Sequence, residues 1–61
     1  MTVKCYIIDN TPECAIAMQT IEHTIPCFTS YDLRDDGYIE LTISCRVEDV
    51  IFVEWKLAPF V

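Results

Sequence analysis

Glycine is almost missing from this chain: one residue, Gly37, in 61, with only three prolines. So little turn-forming material speaks against a low-complexity or disordered segment. Cations are also scarce, four Lys/Arg against ten Asp/Glu, for a net charge of -6. Phosphate backbones would be repelled, which argues against nucleic-acid binding and leaves basic proteins or divalent cations as the better electrostatic partners. The four cysteines form no C-x-x-C pair, and the single His23 completes no recognisable zinc pattern. No apolar run approaches the roughly 18 residues of a membrane span, and no signal-peptide pattern precedes Val3. The expectation is a cytoplasmic chain with buried, reduced thiols, Cys5 and Cys14 among them.

What the chain does have is apolar side chain, 52% of its residues. A body this small buries only about 60% of the surface its unfolded form exposes. Some of that apolar surface must therefore stay outside, which points to a homo-oligomer or to docking on a larger protein.

Val3 to Ile8 reads as a strand, nearly continuous in apolar and β-branched residues and closed by the turn formers Asp9 and Asn10. Thr11-Pro12 then starts a helix, with Thr11 as N-cap, Pro12 at the first helical position and Glu13 in the first turn. Cys14, Ala17, Met18, Ile21 and Ile25 recur at helical spacing until Pro26 stops them. Phe28 to Leu33 reads as a short strand, and Arg34-Asp35-Asp36-Gly37 as a turn. The alternation of Ile39, Leu41, Ile43 and Cys45 with Glu40, Thr42 and Ser44 favours a second strand, hence a hairpin turning at 35–37; a helix from Asp36 remains open. Val50 to Val53 is another continuous apolar run, the pattern of a buried strand. There is no internal repeat or linker, so residues 1–61 form one domain.

The stretch Lys4-Cys5-Tyr6-Ile7-Ile8-Asp9-Asn10-Thr11-Pro12 resembles the opening of response-regulator receiver domains, especially those of LytTR-type response regulators. Those begin with a strand ending in an acidic pair, followed by a Pro-headed helix. The likeness runs on at matching spacing through Ile21 and Glu22 to Ile25-Pro26. It returns at Asp49-Val50-Ile51-Phe52-Val53-Glu54-Trp55-Lys56-Leu57-Ala58-Pro59, similar to the family's third strand with its phosphoacceptor Asp and following Pro. The two blocks cover a little over half of the chain; the segment from Phe28 to Glu48 does not match.

This resemblance implies an α/β fold, half of a flavodoxin-like receiver with a β-α-β core and a buried strand at 50–53. The residue pattern alone leaves open an α+β fold with βαβββ order. By the resemblance Asp9 takes the first acidic position, with Asn10 where a second acid would stand, and Glu54 takes the phosphoacceptor position. A glutamate there excludes aspartyl phosphorylation. The amide of Asn10 weakens the Mg²⁺ site that Asp9, Asn10, Glu54 and the Lys56 carbonyl would form. Otherwise Asp9 and Glu54 merely cap strand ends in solvent. No catalytic constellation is visible, since neither a Ser-His-Asp ordering nor a third group beside His23 and Cys27 appears, and no enzyme is expected. The function implied is a truncated, non-phosphorylatable receiver-like signalling module. It would work by protein contact, as a homodimer or on a larger regulator, through the strand edge at Phe52 and Val53 and through Trp55. The alternative is an unrelated small acidic binder or inhibitor that engages a basic protein surface.

Overall fold

The first strand forms where the apolar run predicts it: β1 spans Thr2–Ile8 in the computed structural model, which describes every residue from Met1 to Val61. Helix α1 follows over Pro12–Thr24, and Thr11 caps it by accepting the Cys14 amide at 3.2 Å. Pro12 costs this helix nothing, because a first-turn N–H has no intrahelical acceptor anyway. The apolar stripe Cys14, Met18 and Ile21 is buried, and Ile25 continues it beyond the helix end.

Strands β2 (Cys27–Leu33) and β3 (Ile39–Cys45) form the expected hairpin. Its turn is closed by the Arg34 amide donating to the Tyr38 carbonyl at 2.9 Å and the Gly37 amide to that of Arg34 at 3.2 Å. Gly37 carries φ +87°, a left-handed conformation that only glycine adopts without steric cost. The chain ends in a 3₁₀ turn (Val47–Asp49), helix α2 (Val50–Leu57) and a last 3₁₀ turn (Ala58–Phe60).

The sheet order is β1-β3-β2, and β3 runs antiparallel to both neighbours. The last strand is thus threaded between the first two, a split β-α-β arrangement. Register places Thr2, Lys4, Tyr6 and Ile8 on one face with Ile39, Leu41, Ile43 and Cys45. That face carries the core, made with Cys14, Met18 and Ile21 of α1 and Val53 and Leu57 of α2. Both helices therefore cover one side of the sheet in a two-layer α+β body.

Two expectations are corrected. The order β-α-β-β-α, on an antiparallel sheet, does not match a flavodoxin-like half, and it also departs from βαβββ. The run Val50–Val53 is the first turn of α2 and not a strand. The reason lies beyond the run itself. Val50, Val53 and Leu57 recur at the i, i+3, i+7 spacing of one helical face, and Val53 and Leu57 are buried on it. A short apolar run satisfies either periodicity, and burial by the sheet selects the helix. Arg46 braces the entry to α2, holding Asp49 at 2.9 Å and Glu48 at 3.6 Å.

Candidate functional site

The residues that the resemblance assigns to one crevice fall on different elements. Asp9 closes β1, and its amide donates to the Phe60 carbonyl at 3.0 Å. Asn10 is exposed in the turn that follows. Glu54 lies on α2, not at a strand end, and its Oε2 accepts the Tyr6 hydroxyl at 3.0 Å. No cluster of three or more His, Cys, Asp or Glu side chains is arranged to hold a metal ion. Asp9 and Glu54 thus sit on separate elements, and Glu54 is engaged with a phenol.

That phenol is perturbed. Burial, the hydrogen bond to Glu54 and the nearby carboxylate charge, in that order, push the Tyr6 hydroxyl from 10.0 up to about 12. Because the folded state holds the proton more tightly, its contribution to stability is complete below pH 10. It is lost as the pH rises through about 12, since the unfolded chain gives up the proton first. Tyr6→Phe is expected to flatten the fall in thermal midpoint between pH 10 and 12. An unchanged slope in that variant would remove the Tyr6–Glu54 bond as its cause.

The interaction residues also redistribute. Val53 is fully buried and Phe52 half-buried, so neither offers a strand edge to a partner, as Val50–Val53 is helical. Trp55 is 67% exposed, with Lys56 Nζ 4.8 Å from its ring centroid and 5.8 Å from that of Phe52. All four cysteines are free. Cys14 and Cys45 are buried as expected, but Cys5 is exposed on the far side of the sheet, its Sγ 3.7 Å from Thr42 Oγ1. Burial first, and then Glu22, push the Cys27 thiol up, which lowers its thiolate fraction and its reactivity.

Three surfaces escaped the sequence reading. The first is the outer face of the sheet, which no helix covers. Val3, Cys5 and Ile7 lie there beside Ser44, Thr42 and Glu40 of β3, with Phe28, Ser30 and Asp32 of β2 beyond. Val3 is 61% and Phe28 73% exposed. The alternation in β3 was the available signal: its polar partners Thr42 and Ser44 mark a face that meets no second layer. The second is a groove of about 260 Å³ between α1 and the sheet, with Asp9, Asn10, Gln19 and Glu22 along it. Glu22 Oε2 accepts both the Thr29 hydroxyl, at 2.7 Å, and the Tyr31 hydroxyl, at 3.0 Å, tying α1 to β2. The third is the hairpin end, where the exposed Asp35 and Asp36 of the turn follow Arg34, and Asp32 and Glu40 pair across the strands just before it. The Arg34 guanidinium bonds Asp36 at 3.1 Å and lies 3.8 Å from Glu40. It holds the Asp36 carboxyl below the usual range, helped by the Tyr38 amide.

No protein family, curated protein or solved structure matches this chain. No helix is long and apolar enough to cross a membrane.

Proposed function

We propose that this chain is a non-catalytic interaction module that works by protein–protein contact through the uncovered outer face of its sheet. The observation that carries this is the placement of Val3, Ile7 and Phe28 in the open on a face without a second layer. A mixed apolar and hydroxyl surface of this kind, with small Ser and Thr side chains at its centre, suits contact with another protein. The strand character of Ile39–Cys45, paired with Cys27–Leu33, supports an independent binder over a receiver remnant.

The acidic hairpin end favours a second reading, engagement of a basic protein surface, because Arg34 meets only Asp36 and Glu40 there and leaves the exposed Asp32 and Asp35 without a cation. One experiment separates the two. Affinity capture with the wild type, Val3→Ser/Phe28→Ser and Asp35→Asn/Asp36→Asn is followed by mass spectrometry of what each retains. The sheet-face reading expects partners of the wild type to vanish only with Val3→Ser/Phe28→Ser. Loss only with the aspartate variant, reversed neither by Val3 nor Phe28, transfers the function to the hairpin. Identical partner sets for all three proteins would sink both readings.

A further inference from the structure

We propose that two copies of this chain join through their β1 edges into one continuous six-stranded antiparallel sheet, with Cys5 opposite Cys5 on the two-fold axis. This rests on the reading of the chain as an interaction module and extends its outer face across two copies. Both outer strands of the sheet, β1 and β2, carry a free row of backbone donors and acceptors. A second copy is the simplest occupant of either, because an isologous edge pair satisfies both rows at once.

Charge selects β1. Three of the four cations are engaged within the chain: Arg34 with Asp36 and Glu40, Arg46 with Glu48 and Asp49, and Lys56 over the Phe52 and Trp55 rings. Lys4, exposed on β1, has no such partner. It lies on the helix-covered side of the sheet, two residues from Tyr6, whose hydroxyl holds Glu54 at 3.0 Å.

Residues directly opposite across an antiparallel pair point to the same face, so a two-fold pair must place some residue opposite itself. With Cys5 at the axis all seven residues of β1 overlap, and Lys4 falls opposite Tyr6 of the second copy. The Cβ separation across such a pair is about 4.5–5.5 Å, within reach of a lysine stem. Each Lys4 ammonium then meets the Glu54 carboxylate of the other copy, twice by symmetry. Beside β1 an open groove of about 280 Å³, lined by Tyr6, Glu54, Leu57, Ala58 and Val61, receives that stem. On the opposite side of the sheet Val3 pairs with Ile7, also twice, joining the two bare outer faces.

Neighbouring registers fail on charge. Lys4 at the axis sets ammonium against ammonium, and Tyr6 at the axis brings the two Glu54 carboxylates together. The β2 edge has only Asp32 as a charged residue and no cation to meet it.

Sedimentation equilibrium of the intact chain tests the pair at low salt, with far-ultraviolet circular dichroism as a check that each variant is folded. The wild type is expected to dimerise. Lys4→Glu should raise the dissociation constant roughly tenfold or more by replacing two attractions with two repulsions. The exchanged variant Lys4→Glu/Glu54→Lys should restore it. Oxidation by copper-phenanthroline should trap a disulfide-linked dimer in the wild type and not in Cys5→Ser. A wild type that stays monomeric at several hundred micromolar overturns the proposal, as does a dimer indifferent to Lys4→Glu. A monomer that still loses its partners with Val3→Ser/Phe28→Ser refutes the edge pair alone and leaves the outer-face reading standing.

Discussion

Val53→Asp is expected to unfold the chain, whereas Ile51→Asp leaves it folded. In α2 the two positions are about 200° apart around the axis, at 3.6 residues per turn. Val53 is fully buried against the sheet and Ile51 is 79% exposed. An aspartate at 53 places a carboxylate in the core, where no cation is available, at a cost of several kcal/mol. A chain of 61 residues has about 3 to 9 kcal/mol of total stability, so that single cost is decisive. Ile51→Asp stays within about 0.5 kcal/mol, as surface changes do. The pair is diagnostic, because in a strand residues 51 and 53 would share a face and the two variants would behave alike. Urea unfolding followed by circular dichroism reads both; equal effects would reject the helix.

Ile21→Ala is the second large effect. Ile21 is the fully buried midpoint of the α1 stripe, and the core it joins has only ten buried residues, all apolar. Removing most of a buried isoleucine side chain costs about 2–5 kcal/mol, part transfer and part cavity. Against the stability of so small a chain this removes about a fifth of the total or more. Ile16→Ala on the exposed side of the same helix is the control, expected within about 0.5 kcal/mol. Should Ile21→Ala leave no folded protein to measure, Ile21→Val, at about 0.5–1.5 kcal/mol, keeps the test quantitative. A urea midpoint that Ile21→Val leaves in place would mean that this core is not the source of stability.

The contrast between these helices shows how far a single chain can be read. For α1 every local signal agrees: Thr11 caps, Pro12 opens, the apolar stripe repeats, and Pro26 follows the end. For β3 the strict alternation of Ile39–Cys45 with polar residues is equally local, and the hairpin follows from it and Gly37. The segment after Asp49 has no such agreement. Val50-Ile51-Phe52-Val53 is apolar at every position, so it carries no period of its own. Its intrinsic preference is β-branched and aromatic, yet tertiary burial of Val53 and Leu57 outweighs it.

The candidate site was less legible for the same reason. Asp9, Asn10 and Glu54 form a group only if the run before Glu54 is a strand parallel to β1. Once that run is helical, Glu54 is carried over the sheet to Tyr6. Conversely, the uncovered outer face depends on both helices choosing the same side, which no local pattern states.

The amino-acid sequence by itself determined β1, α1 with both its ends and the buried stripe of α1, and it favoured the β2–β3 hairpin. It did so because each of these rests on interactions within a few residues or on one unambiguous period. Only the tertiary structure decided that β3 threads between β1 and β2, that α2 is a helix, and that Lys4 and Tyr6 share an open edge. These depend on which surfaces meet across long stretches of chain, and there the burial of apolar area on one side of the sheet overrides what each segment prefers alone.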